Sequence, residues 1–150
     1  MTYKEYKDAR QAEFNELPIF WAFNNEQFKE GMEAHGLTEN DTDKIYSFGH
    51  GGYYLKTDAP KIRAWVNAPD KLPELMQDFD FCEDAILTEL YNHEYAINWQ
   101  GDWDLFSCFG AVEYSDEKNA GDYMLELGWN DTQTAAFNAA MVAYNKSIDY

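Results

Sequence analysis

Between Phe81 and Tyr95 the apolar residues fall four apart, at Cys82, Ile86 and Leu90, with Leu87 and Tyr91 beside them. Residues four apart lie on one side of a 3.6-residue helix, so this segment is predicted to be a helix with a single face to bury. Asp80 stands where an N-cap belongs, and Glu83 and Asp84 follow in the first turn, where the helix dipole favours negative charge.

The flanking segments point the same way. Thr2 to Leu17 sets Tyr3, Tyr6, Ala9 and Phe14 among charges, behind Thr2 as an N-cap, and reads as an amphipathic helix ended before Pro18. A short apolar run, Ile19 to Phe23, precedes a helix over Glu26 to His35, capped by Asn25 and closed by Gly36; its weak apolar stripe leaves part of it facing water. Ile45 to Phe48 and Tyr53 to Leu55 flank Gly49-His50-Gly51-Gly52, which predicts a small β-hairpin near residues 45–56 whose glycines supply positive φ. Thr57 and Asp58 before Pro60 start a helix over Lys61 to Asn67, and Leu72 to Gln77 is helical after Pro69. Asp102 to Phe109 forms one or two turns ended by Gly110. A polar loop, Ser115 to Gly121, separates it from Tyr123 to Leu127, and Asp131 or Thr132 caps a last helix reaching Ile148. The expected fold is α+β: a mainly helical single domain over 1–150 with one small hairpin.

Charge narrows the function. Against 11 Lys and Arg stand 28 Asp and Glu, a formal charge of −17. Residues 1–71 carry 9 basic and 12 acidic side chains, a net of −3, whereas residues 72–150 carry 2 and 16, a net of −14. Such a chain is repelled by DNA, RNA and anionic lipid, so no direct nucleic-acid or membrane ligand is expected. With 5 Trp, 11 Tyr and 10 Phe it is too aromatic for acidic disorder. Met1 to Glu16 is charged throughout and lacks a signal peptide's apolar run, and nothing approaches the roughly 20 apolar residues of a membrane span. The expectation is a cytoplasmic protein. Cys82 and Cys108, 26 residues apart, are too few for a disulfide scaffold and read as reduced, buried small hydrophobes.

Chemical constellations are sparse. Glu89 and His93 share a helix face, and Asp102 and Asp104 follow a glycine turn, so these four are the candidate set for a divalent ion in a small metal-dependent enzyme. A histidine bonded near a helix C-terminus accounts for the same pattern, and no metal or cofactor is expected. No serine lies in a nucleophile elbow, and Gly49-His50-Gly51-Gly52 lacks the Lys-Ser/Thr of a phosphate loop. What remains is acid interleaved with aromatics. Asp80, Asp84, Glu94, Asp102, Asp104, Glu113, Asp116, Glu117 and Asp122 alternate with rings such as Tyr95, Trp99, Trp103 and Tyr114. Carboxylates about 5–6 Å apart on a helix imitate the spacing of successive phosphates. These nine are the candidate partner-binding residues; a merely solvated acidic face is the plainer alternative.

Asp43 to Lys56, with its Gly-Gly aromatic turn, and Tyr91-Asn92-His93-Glu94-Tyr95 at a helix end resemble a family of small acidic proteins from phages, plasmids and conjugative elements of gut Firmicutes. Leu17 to Phe28 is similar too, so the likeness covers most of residues 1–110. The resemblance implies a mobile-element setting, in which anti-CRISPR and antirestriction proteins are common. Together with the charge it leads to the expectation of a non-enzymatic inhibitor of a host defence nuclease, or of another basic nucleic-acid-binding protein, acting by DNA mimicry. A regulatory or oligomerisation domain is a further alternative, and the oligomeric state is open.

Overall fold

The computed structural model describes residues 1–148, which pack as two compact units. One spans Arg10–Pro69; the other joins Met1–Ala9 to the chain from Asp70 onward. The secondary structure is mainly helical with a three-stranded antiparallel sheet, the α+β class expected. Among the described residues no helix is long and apolar enough to cross a membrane.

Helix α1 (Tyr3–Asn15) starts on Thr2, whose hydroxyl accepts from the Glu5 amide at 3.1 Å, as the sequence predicts. In the Arg10–Pro69 unit, β1 (Phe20–Trp21) precedes α2 (Asn25–Ala34), and β2 (Ile45–Gly49) and β3 (Gly52–Leu55) form the predicted hairpin. Its turn runs through left-handed backbone at Gly49, His50 and Gly51. The strand order is β1-β3-β2, with Phe20 opposite Tyr53, so the run after Pro18 is a third strand. Phe20 also stacks on Tyr53 at 5.7 Å, and it lies so close to α2 that a Cβ on Gly31 would sit 2.4 Å from its ring. Only glycine permits that approach. The cap of α2 is Asn24 rather than the expected Asn25, because it is the Asn24 carboxamide that meets the Gln27 amide. Met32 is the buried residue of α2, and most of the helix faces water as expected. Helix α3 (Ala59–Asn67) has Pro60 in its first turn.

The second unit is all helical: the first turns of α1, then α4 (Leu72–Leu75), α5 (Phe79–Asn92), α6 (Gly101–Ser107), α7 (Ala120–Glu126) and α8 (Asp131–Ile148). Its centre is the pairing of α5 with α8. Cys82, Ala85, Ile86 and Leu90 of α5 are fully buried with Ala136 and Ala140 of α8, and the alanines let the two backbones close up. Phe106 of α6 plugs one end, stacked on Tyr123 at 5.7 Å and set against Trp129 and Phe137. Each large apolar side chain buried in this way contributes about 1.5–3 kcal/mol.

Several expected helix ends move in this unit: α6 runs over Gly101–Ser107 rather than Asp102 to Phe109, and α7 starts at Ala120, inside the loop expected from Ser115 to Gly121. Asp78, not Asp80, caps α5, its carboxylate accepting from the Phe81 amide at 2.9 Å. The same helix stops at Asn92 rather than Tyr95, because Glu94 turns left-handed at φ 49° and the Tyr95 amide returns to the Leu90 carbonyl. Asn130, not Asp131 or Thr132, caps α8: the Asn130 side chain accepts from the Gln133 amide, while the Gln133 side chain accepts from the Asn130 amide.

Candidate functional site

The nine acidic residues divide into two groups. Four spend carboxylate oxygens on the fold itself. Asp84 accepts the Tyr3 amide at 2.9 Å, Asp102 accepts the Tyr95 hydroxyl, Asp104 accepts the Asn98 side chain, and Asp122 closes a capping box with Asn119. The other five, Asp80, Glu94, Glu113, Asp116 and Glu117, are exposed. Among the described residues none of the nine forms an ion pair. Charge therefore follows the architecture. The described helical unit holds 18 acidic and 5 basic side chains, a net of −13, whereas Arg10–Pro69 holds 9 and 6, a net of −3.

Part of this surface is shaped. Trp99, Asp102, Trp103, Tyr114, Asp116 and Lys118 border a groove of about 170 Å³. Tyr114 meets Trp99 edge-on at 6.5 Å and Trp103 at 6.2 Å, yet Trp99 remains 82% exposed. Ile97 and Val112 are equally open to water. Large apolar side chains displayed beside unpaired carboxylates are costly to leave in water and suit protein recognition. Lys118 is committed elsewhere, paired with Glu126 at 3.1 Å.

A second constellation lies on the core helix. Glu89, only 3% exposed, is the buried carboxylate of α5. Its Oε1 accepts from Asn92 Nδ2 at 2.9 Å and pairs with Lys7 Nζ at 3.2 Å. Its Oε2 accepts from the Cys108 thiol at 2.9 Å and lies 3.3 Å from His93 Nε2. Cys108 Sγ and His93 Nε2 are 3.4 Å apart. Burial by itself would raise the Glu89 pKa, but the hydrogen bonds from Cys108 and Asn92, with the Lys7 charge, outweigh it and hold the carboxyl below its ordinary value. Burial, reinforced by Glu89, pushes the Cys108 thiol up to about 12.

Of the expected set Glu89, His93, Asp102 and Asp104, the structure brings two members together. Glu89 and His93 meet, as their four-residue spacing requires, while Asp102 and Asp104 turn to Tyr95 and Asn98 and the third member is Cys108. Cys82 is the buried hydrophobe predicted; Cys108 is half-buried and polar in its contacts. No sequence signal marks it, because the chain between 89 and 108 returns through a turn and α6 rather than at a fixed spacing. The Asn92-His93-Glu94-Tyr95 motif proves to be a helix terminus with one task per residue: Asn92 steadies Glu89, His93 joins the cluster, Glu94 turns the chain, and Tyr95 holds Asp102.

No curated protein and no solved structure matches the chain. Residues 2–134, reaching from α1 into the first turn of α8, match the Family of unknown function (DUF7659), and the chain belongs to that family.

Proposed function

We propose that the protein is a non-enzymatic inhibitor that presents its acidic helical unit to a basic, nucleic-acid-handling protein and blocks DNA binding or cleavage there. The observation that carries this reading is the confinement of a net −13 to one compact unit, in which the exposed Asp80, Glu94, Glu113, Asp116 and Glu117 form no ion pair among the described residues. A groove lined for DNA by Lys and Arg is attracted electrostatically to such a surface as it is to phosphates, and more weakly as salt rises. The groove at Trp99, Trp103 and Tyr114 supports the reading in a second way, since Trp and Tyr are the residues that anchor protein interfaces. The resemblance to proteins of phages and conjugative elements supplies the setting: a cytoplasmic encounter with a host defence enzyme, either a CRISPR effector nuclease or a restriction enzyme.

The test is a DNA-cleavage assay on purified nucleases of both kinds, with the protein added in increasing excess. Inhibition relieved by excess non-cleavable DNA supports mimicry. Full cleavage by every nuclease at saturating protein contradicts the proposal.

A further inference from the structure

The Glu89, His93 and Cys108 ligand atoms lie within 4.8 Å of one another. We propose that this cluster is a transition-metal site, taking Zn²⁺ or a similar borderline ion through Glu89 Oε2, His93 Nε2 and Cys108 Sγ. The inference is independent of the acidic surface and does not rest on it.

Geometry favours a metal over the other uses of these three groups. A tetrahedral zinc with bonds of about 2.3 Å to sulfur and about 2.0–2.1 Å to nitrogen and oxygen separates its ligand atoms by about 3.3 Å (N to O), about 3.6 Å (N to S) and about 3.5 Å (O to S). The corresponding distances here are 3.3, 3.4 and 2.9 Å. Two edges fit, and the third opens when the sulfur withdraws by about 0.6 Å, the difference between a thiol hydrogen bond and two atoms sharing an ion. A catalytic Cys–His pair needs its carboxylate on the far ring nitrogen, to orient the base. Glu89 instead crowds the same Nε2 that faces the sulfur.

The surroundings suit the assignment. Asn92 and Lys7 hold Glu89 Oε1, which leaves Oε2 for the ion and fixes the carboxylate plane. Lys7 supplies the positive charge that Glu89 requires before an ion arrives, and being half-exposed it can swing away afterwards. The His93 side chain is 37% exposed, which provides a way in. Three protein ligands leave a fourth position for water or a ligand, as in zinc sites that keep one coordination place open. Cys108 also borders a cavity of about 540 Å³ between Met76, Phe109, Trp129 and Gln133. On binding, the metal–sulfur bond replaces the S–H bond and the proton leaves to solvent.

Twenty-eight carboxylates will bind divalent ions weakly anywhere, so the readout must be specific to sulfur. Titration of the whole protein with Co²⁺ is expected to give a thiolate-to-cobalt charge-transfer band saturating at one equivalent. The band disappears in Cys108→Ser, persists in Cys82→Ala, and needs at least tenfold more cobalt in His93→Gln. A missing band, or one that survives Cys108→Ser, overturns the proposal. Should Cys108→Ser fail to fold, the wild type decides: Zn²⁺ is expected to slow alkylation of Cys108 at least tenfold, and equal rates with and without zinc overturn the site.

Discussion

The Asp84 carboxylate accepts the backbone amide of Tyr3 at 2.9 Å, tying the start of the first helix to the second turn of the central one across 81 residues of sequence. Tyr3 itself is buried, with Phe81 edge-on at 6.0 Å. Asp84→Ala leaves an amide at a helix start without its acceptor, a loss of about 1 kcal/mol by comparison with other capping groups. Urea denaturation is expected to show that loss, with Asp84→Asn recovering part of it. Asp84 therefore belongs to the fold, and reversing its charge would confuse a test of binding with a test of stability.

Glu94 adopts φ 49° at the end of α5, a conformation that costs a residue with a Cβ about 1 kcal/mol and glycine almost nothing. Glu94→Gly is expected to raise the melting temperature by about 2–4 °C. An unchanged or lower value would show that the Glu94 side chain makes up for the backbone.

Cys82 is fully buried in the α5 face, and burial pushes its thiol up to about 12. Its folded value lies above its unfolded one, so its contribution to stability is fully present below about pH 9 and is lost as pH rises from there towards about 12. Unfolding free energies measured between pH 8 and 11 are expected to decline more steeply in wild type than in Cys82→Ala. In the native protein at pH 8, Cys82 is expected to resist alkylation until denaturant is added.

Trp99 is 82% exposed, so Trp99→Ala is expected to change stability by less than about 0.5 kcal/mol. Loss of an interface anchor typically costs 2 kcal/mol or more, so the same substitution is expected to weaken inhibition more than about tenfold. Thermal melts and inhibition curves on one preparation separate the two effects.

Sequence periodicity was legible where one helix face decides everything. The Cys82, Ile86, Leu90 spacing identified the central helix, and the same rule put Glu89 and His93 together. Boundaries slipped by one or two residues wherever polar capping candidates crowd, at Asn24 and Asn25, at Asp78 and Asp80, and at Asn130 to Thr132, because only the side chain that meets an amide three residues on becomes the cap. The strand at Phe20 and Trp21 is too short to carry an alternating pattern; it exists through pairing with Tyr53 and Gly52, some thirty residues away. Cys108 escaped for the same reason, since its neighbours are chosen by the return of α6 onto α5. The even list of nine acids hid a division of labour that only hydrogen bonds reveal.

Inhibition through the exposed Asp80, Glu94, Glu113, Asp116 and Glu117 is tested by the affinity for an inhibited nuclease, measured against salt. Between about 50 and 200 mM salt the affinity of the wild type is expected to fall steeply, log-linearly with salt concentration. With Asp80→Lys, Glu113→Lys, Asp116→Lys and Glu117→Lys combined, which spares the four carboxylates engaged in the fold, binding is expected to vanish while the circular dichroism spectrum stays that of the wild type. An affinity indifferent to salt, or a variant with these four lysines that still binds, would contradict inhibition through this surface.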